Sequence, residues 1–201
     1  MVTGGIAPNI EGAVLPGAAA LITDAEIANH KIVTTSVKKY GAKIIKRPKK
    51  LSNNIIHVDE AIRHAYLEVN KKYDYIVTLQ PTSPLRTDKN IDEAIKMIIK
   101  KKADSLISVF KTHQFLWKKN KDDFNPVNYD LNNRLRSQDS NFFQDNGAIN
   151  ITKPKILVKK HNRLGGKITA YQMNFWRSID IDQIEDFHMA EILYKKLKKQ
   201  I

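Results

Sequence analysis

Segments that favour β-strands alternate along this chain with segments whose apolar residues recur at helical spacing, and this alternation restricts the fold more than any other feature. The strand-like runs are short and apolar, and the runs between them repeat apolar residues every three or four positions. The order reads βαβαβαβ, then an irregular insertion, then ββα. Such an order is typical of a largely parallel sheet with helices on both faces. We therefore predict an α/β fold.

The pattern also assigns the elements to residues. Strands are predicted at residues 18–23, 43–46, 75–79, 105–110, 148–151 and 167–171. Helices are predicted at residues 25–40, 58–69 and 184–197, and a further helix is capped by Asp88 and carries apolar residues from Ile91 to Ile99. Residues 111–141 are polar and irregular, with scattered aromatic side chains.

Composition narrows the class of protein. With 201 residues, the chain can bury the core of one domain, and we predict a single domain over residues 1–201. There is no cysteine, which excludes disulfides and thiolate chemistry, and no apolar run reaches the ~20 residues of a membrane helix. We expect a cytoplasmic protein with no membrane partner.

The net charge of +13, from 34 basic and 21 acidic residues, raises the question of a nucleic-acid partner. The lysines are, however, spread along helices and turns, as at residues 100–102 and 195–199. Solvated helix faces account for such a distribution, and an anionic small substrate would also gain from a positive field. A basic nucleic-acid-binding protein is therefore the less favoured alternative.

Ligands of open α/β sheets bind outside the carboxyl ends of the strands, so the loops that follow strands are the first candidates for a site. Three such segments stand out: Thr23-Asp24, residues 80–86 and residues 180–182. In the second, two prolines restrict the backbone around Gln80, Ser83 and Arg86. An amide, hydroxyls and a guanidinium suit a polyhydroxylated anionic ligand. An ordinary turn before a helix is the alternative.

Asp180 and Asp182 alternate with isoleucines at the start of the last predicted helix. In an extended segment, side chains two residues apart point to the same side, so both carboxylates could reach one cation. Two carboxylates, together with phosphate oxygens and water, suit Mg²⁺ or Mn²⁺. The alternative is that Asp182 simply caps the helix, and the sequence leaves both interpretations open.

Further along, Arg136 and Gln138 are followed by Asn146-Gly147. Arg136 could bind a carboxylate, although the residues alone favour a solvated basic loop. The six histidines lack zinc-type spacing, and the chain has no Walker-type phosphate loop.

Taken in order, these segments resemble the acylneuraminate cytidylyltransferases, also called CMP-sialic acid synthetases. The resemblance covers about residues 20–200, and its most specific motif is Leu79-Gln80-Pro81-Thr82-Ser83-Pro84-Leu85-Arg86. The other matching segments are Thr23 to Ala28, Tyr40-Gly41-Ala42, Arg47-Pro48, Leu51-Ser52, Arg136 to Asp139, Asn146 to Ile149, Ser178 to Asp182, Asp186-Phe187 and Ala190-Glu191.

The resemblance implies a Rossmann-like, three-layer nucleotidyltransferase fold with a mostly parallel sheet and a dimerisation insertion at residues 111–141. It implies transfer of CMP from CTP to the anomeric hydroxyl of a nine-carbon sugar acid, with release of pyrophosphate. Asp180 and Asp182 match the metal-holding, catalytic aspartates. Arg136 lies in a segment that, in the family's homodimer, helps to bind the sugar carboxylate of the neighbouring subunit. The complete predicted set is Gln80, Ser83, Arg86, Arg136, Gln138, Asn146 and Gly147 for substrate, with Arg47 and Asp24 for the nucleotide.

The beginning of the chain departs from the family pattern. The family opens with a Gly/Ser/Lys/Arg-rich loop that wraps the CTP phosphates, whereas the first thirty residues here contain no lysine or arginine. We expect residues 1–22 to form an atypical, shortened segment and phosphate binding to be weakened. A catalytically inactive homologue that binds ligand or dimerises is therefore the alternative. Smaller departures are Ser137, usually arginine in the family, and Asn150, often tyrosine.

Overall fold

The structure, a computed structural model, describes residues 45, 47–51, 56–134, 136–139 and 141–198. The predicted strand 18–23, helix 25–40 and Asp24 lie outside the described residues, as does strand 43–46 apart from residue 45.

The described chain contains four α-helices and six strands. The helices are α1 Val58–Val69, α2 Asp88–Lys101, α3 Pro154–Lys160 and α4 Ile184–Lys198. The strands are β1 Ile76–Leu79, β2 Ser105–Thr112, β3 Trp117–Asn120, β4 Asp123–Pro126, β5 Phe142–Thr152 and β6 Ile168–Gln172. Short 3₁₀ turns lie at Lys49–Leu51, Ser137–Asp139 and Phe175–Arg177.

Four of these strands form one mixed sheet in the order β1-β5-β2-β6. β5 runs antiparallel to both of its neighbours, and β2 pairs in parallel with β6. β1, β2 and β6 therefore point the same way, and their carboxyl ends lie at one edge of the sheet. The predicted α/β class with a largely parallel strand direction is confirmed, and β5 is the strand that runs against the others.

Two apolar clusters hold helices against this sheet. Ala94 and Ile98 of α2 are fully buried with Leu106, Ile149 and other core residues. On burial, each isoleucine or leucine side chain of this cluster stabilises the fold by about 1.5–3 kcal/mol. A smaller cluster joins α1 and α3 to the sheet through the side chains of Ile62, Ile76 and Leu157.

The N-terminus of α2 corrects the predicted cap. Thr87, not Asp88, is the N-cap, because its extended backbone lets its hydroxyl accept from Asn90 N at 3.3 Å while Asn90 Oδ1 accepts from Thr87 N at 3.0 Å. This reciprocal pair satisfies two backbone donors, and Asp88 becomes the first helical residue.

Three features differ from the predicted pattern. Residues 111–141, expected to be irregular, contain the hairpin of β3 and β4, which pair only with each other in the described part of the chain. β5 begins at Phe142, six residues before the predicted strand, and α3 was not predicted. Within the described ranges, each helix is too short or too polar to cross a bilayer.

Candidate functional site

Two loops that the sequence singled out meet at the carboxyl edge of the sheet. The proline loop, residues 80–86, follows β1, and the aspartate loop, residues 178–183, follows β6 and its 3₁₀ turn. Ile181 N donates to Thr82 O at 2.9 Å, and Arg177 Nη1 donates to Leu85 O at 3.2 Å. The fold therefore fixes these two loops against each other, although about a hundred residues separate them in sequence.

The proline loop is held from inside by Arg86. Its Nη1 donates to Gln80 O at 3.1 Å and to Ala148 O at 2.6 Å, which ties both ends of the loop to β5. Burial lowers the pKa of Arg86 to about 10, because desolvation disfavours the charged guanidinium. Arg86 thus braces the loop, and its contact with substrate stays a prediction.

A wide bulge in β5 approaches the same loop. Val109 pairs with Asp145 and Ile107 with Asn150, so residues 146–149 of β5 lie opposite Ser108 alone. Gly147 adopts a φ of +65°, and a Cβ there would lie 3.3 Å from the side chain of Gln80. Glycine thus allows the backbone to turn against Gln80, and bulges of this kind often lie beside active sites.

Asn146, the residue before this glycine, is 4 % exposed. Its Oδ1 accepts from Ser108 Oγ at 2.6 Å and from Ala148 N at 3.2 Å. Its Nδ2 donates to Ser178 Oγ at 2.9 Å. Protein partners therefore occupy both ends of the amide, so a substrate contact would have to replace one of them.

Among the predicted site residues that the structure describes, three buried polar atoms lack a hydrogen-bond partner: Asp180 Oδ1, Ser83 Oγ and Arg47 Nε. Buried polar atoms are nearly always paired, and leaving one unpaired costs about 1–3 kcal/mol. Such atoms are explained if a ligand meets them. A cation would satisfy the Asp180 oxygen, whereas phosphate, sugar or base atoms would satisfy the serine and arginine.

The helix cap proposed for Asp182 is made by another residue. Asp186 Oδ2 accepts from Asp182 N and Gln183 N, both at 3.1 Å, and so caps the first turn of α4. Asp182 is exposed. Its backbone amide joins the cap, which leaves its carboxylate to face ligands from solvent.

The carboxylate pair suits a cation that keeps other ligands. Within the described residues, no group of three or more His, Cys, Asp or Glu side chains could hold a metal ion. Mg²⁺ is typically held by one or two carboxylates, and phosphate oxygens and water complete its shell. The two aspartates and the unpaired Oδ1 of Asp180 fit that mode of binding.

No protein-family model matches the chain. Curated relatives do: the N-acylneuraminate cytidylyltransferase A of Danio rerio is 33 % identical over 168 residues, 81 % of this chain and 39 % of the relative. The N-acylneuraminate cytidylyltransferase of Escherichia coli O18:K1:H7 is 29 % identical over 188 residues, 87 % of this chain and 44 % of the relative. The chain is similar in sequence to the N-acylneuraminate cytidylyltransferases.

The chain spans about two fifths of the length of these relatives.

Solved structures support the fold. A CMP:2-keto-3-deoxy-manno-octonic acid synthetase complexed with CTP aligns with a TM-score of 0.55 at 10 % identity, covering 86 % of both chains. A 4-diphosphocytidyl-2C-methyl-D-erythritol synthase of Anaerococcus prevotii aligns with a TM-score of 0.59 at 11 % identity, covering 89 % of this chain and 80 % of that one. The nucleotidyltransferase fold is confirmed.

The remaining residues carried over from the cytidylyltransferase family lie elsewhere. Arg136 and Gln138 are exposed between β4 and β5, Arg136 just before the 3₁₀ turn Ser137–Asp139 and Gln138 within it. Arg47 is half-buried before the turn Lys49–Leu51, and Asp24 lies outside the described residues. Their roles in this cytidylyltransferase homologue stay predictions.

Sequence reasoning assigned no structural role to the residues that hold the two loops: Ser108, Ser178, Arg177 and, as a cap, Asp186. The capping role of Asp186 had a signal, because an acidic residue in the first turn of a helix is favoured there. The two serines had none, since their partners lie 38 and 32 residues away in sequence.

Proposed function

We propose that this chain transfers CMP from CTP to the anomeric hydroxyl of a sialic-type sugar acid and releases pyrophosphate. The observation that carries the proposal is the pair of unpartnered buried atoms, Asp180 Oδ1 and Ser83 Oγ, in two loops joined by the Ile181–Thr82 hydrogen bond. Curated relatives that bear the name N-acylneuraminate cytidylyltransferase support the reaction. A structural neighbour complexed with CTP supports the nucleotide.

Asp180 and Asp182 would hold a Mg²⁺ or Mn²⁺ ion together with the phosphates of CTP. The bound ion would neutralise phosphate charge and favour attack on the α-phosphorus. Of the two groups that would hold the ion, Asp180 offers a buried oxygen and Asp182 an exposed carboxylate.

In the reaction, a bond forms between the sugar oxygen and the α-phosphorus while the bond to the pyrophosphate oxygen breaks, and the hydroxyl proton passes to solvent. Most of what the chain must supply is position and electrostatic complementarity. The braced proline loop presents Gln80 and Ser83 on a backbone that Arg86 fixes to β5. Gln80 would meet the sugar acid, and Arg47 would lie near the cytidine.

The test is formation of CMP-sugar from CTP, Mg²⁺ and a panel of nonulosonic acids. Asp180→Asn and Asp182→Asn should each lower kcat by at least about a hundredfold, because the ion would lose an anionic ligand. Asp74→Asn is the matched control, since Asp74 is exposed at the opposite edge of the sheet, just before β1. Folded wild-type protein that forms no product above background would refute the activity.

The alternative is a homologue that binds the ligands without turnover. It is favoured by the protein contacts of Arg86 and Asn146, two predicted substrate residues whose polar groups bond to the chain itself. Calorimetry separates the two functions. Binding of CMP or of the sugar acid without product formation would support the alternative.

We also propose that the chain works as a homodimer through residues 111–141. Apolar side chains in and beside this segment are exposed: Leu116, Trp117, Phe124, Val127, Leu131, Phe142 and Phe143. Exposed apolar and aromatic clusters of this kind are typical of interfaces. In such a dimer, Arg136 would reach the sugar carboxylate bound by the neighbouring copy.

Use of CTP as donor also leads us to propose a cytoplasmic location.

A further inference from the structure

A buried chain of hydrogen bonds connects β2, the bulge of β5 and the aspartate loop. Ser108 of β2 donates to Asn146 Oδ1 at 2.6 Å, and Asn146 Nδ2 donates to Ser178 Oγ at 2.9 Å. The three side chains are 0 %, 4 % and 7 % exposed. Ser178 lies two residues before Asp180, so this series of hydrogen bonds ends at the segment that carries the carboxylate pair.

The donor and the acceptor of each hydrogen bond in this series are fixed, because each serine hydroxyl has only one proton. Ser108 Oγ accepts from Ile149 N at 2.7 Å, so its proton goes to Asn146. Ser178 Oγ donates to Asn174 O at 2.9 Å, so it accepts from Asn146. An amide, with an acceptor at one end and a donor at the other, satisfies both serines. Asp at position 146 would lose the donor, and an apolar residue would lose both groups.

The aspartate loop is thus held on both sides of Asp180. On one side Ser178 is bonded to Asn146, and on the other Ile181 N donates to Thr82 O at 2.9 Å. The unpartnered Oδ1 of Asp180 lies between these two anchors. A carboxylate keeps a productive direction only if the backbone that carries it is fixed, and small displacements of such groups reduce binding and rate.

We infer that Asn146 is a positioning residue, which acts through Ser178 to hold Asp180 in the direction that ion binding needs. This role differs from the direct substrate contact predicted from the sequence, since protein partners occupy the amide. The part of the inference that concerns ion binding rests on the proposed function, whereas the part that concerns the loop does not.

The chain offers a matched control on the same strand. Ser105 of β2 is also 0 % exposed, and its Oγ donates to Gly165 O at 2.9 Å and accepts from Gly165 N at 3.0 Å. Ser105→Ala and Ser108→Ala therefore remove the same group, with one donated and one accepted bond, from the start and the middle of one strand. If the buried serines only stabilise the fold, the two variants should behave alike.

The first experiment measures amide hydrogen exchange of Ile181 by NMR in the ligand-free full chain. Ser108→Ala and Ser178→Ala remove the two side-chain oxygens bonded to Asn146 without introducing a charge. Each should accelerate exchange of the Ile181 amide about tenfold, as expected for loss of one buried hydrogen bond. Ser105→Ala should leave that amide unchanged. Equal acceleration in all three variants, or in none, would overturn the positioning role.

The second experiment measures binding of Mn²⁺ in the presence of CTP by water-proton relaxation. Ser108→Ala and Ser178→Ala should each weaken Mn²⁺ binding about tenfold, and Ser105→Ala should not. Ser178→Thr, which keeps the hydroxyl, should restore most of the affinity. Wild-type protein that fails to bind Mn²⁺, with the expected exchange pattern intact, would refute the proposed function but uphold the positioning of the loop.

Discussion

Gly166 shows how closely a single residue can be restricted by its neighbours. Its φ is +66°, and an added Cβ would lie 2.4 Å from Oδ2 and 2.7 Å from Cβ of Asp104. Asp104 cannot easily move aside, because it accepts from Lys167 N and Lys153 Nζ, both at 3.0 Å. These bonds also hold the pKa of Asp104 well below its ordinary value, the bond from Lys167 N being the larger cause.

Gly166→Ala should therefore lower the free energy of unfolding by about 1–3 kcal/mol, from strained backbone and displacement of Asp104. Urea denaturation measures the loss. Gly165→Ala is the neighbouring control: its Cβ would meet Ile156 Cγ2 at 3.1 Å and the flexible Lys160 side chain at 3.2 Å. Equal losses at the two glycines would contradict the role of Asp104.

For single residues, the sequence was enough to select the loop positions but not to show which way their side chains point. Gln80 and Gly147 were selected separately, and the structure brings them into contact. Arg86 and Asn146 were chosen because their groups can bind anions or sugars, yet both bond to the protein itself. Which way a polar side chain points depends on partners far away in sequence, and one chain without its fold does not reveal them.

Among the elements, α1 and α3 are joined by charged contacts beside their small apolar cluster. His161, which ends α3, is paired with Glu60 of α1, and Arg163 Nε lies 3.1 Å from Asp59 Oδ1. The hydrogen bond with His161 is the main cause that lowers the pKa of Glu60 below 4.5. Folding therefore favours the ionised form of this carboxyl group.

The lowered pKa of Glu60 determines how the stability of the protein changes with pH. A carboxylate whose pKa is lowered by folding stabilises the protein above its unfolded pKa, and the effect disappears as the pH falls through the folded pKa. Glu60→Gln should thus destabilise the protein at neutral pH, and its difference from wild type should shrink below pH 4.5. Urea midpoints at several pH values measure this. Glu68→Gln is the control on the same helix, and it should destabilise the protein less at neutral pH because Glu68 is 59 % exposed and 4.0 Å from His64.

Element prediction succeeded where periodicity was strong and failed where tertiary pairing decides. The ranges of α1 and α4 agree with the predicted helices because their apolar spacing is clear. The first four residues of β5, Phe142 to Asp145, are all exposed and do not alternate between apolar and polar, so only pairing with β2 makes them a strand. The helix α3 has seven residues, too few for a periodic signal. The hairpin of β3 and β4 has mostly exposed residues, so no alternation marks it.

For the whole molecule, the alternation of strands and helices was enough to predict the α/β class, and ordered motifs were enough for the family. The antiparallel direction of β5 was not predictable from that alternation. The chain leaves β2, passes through residues 113–141 and returns beside β2, which places β5 between β1 and β2. The insertion thus determines both the mixed sheet and the position of the exposed hairpin.

The exposed hairpin of β3 and β4 predicts the oligomeric state of the protein. Phe124 is 59 % exposed on β4, and burying it against a second copy would remove a large apolar surface from water. We expect wild-type protein to have the mass of a dimer in sedimentation equilibrium, and Phe124→Asp to shift it to monomer. Ile99→Asp is the control, since Ile99 is 56 % exposed on α2, outside the insertion, and should leave the mass unchanged.

Phe124→Asp also tests whether the dimer contributes a residue to the substrate site or only stabilises the protein. If Arg136 serves the neighbouring copy, monomeric Phe124→Asp should raise KM for the sugar acid at least about tenfold and leave KM for CTP nearly unchanged, because only the sugar carboxylate loses a charge-assisted partner. Arg136→Ala should reproduce that selective rise while remaining a dimer. A monomeric wild type, or an equal rise of both KM values in Arg136→Ala, would show that the exposed aromatics serve another purpose.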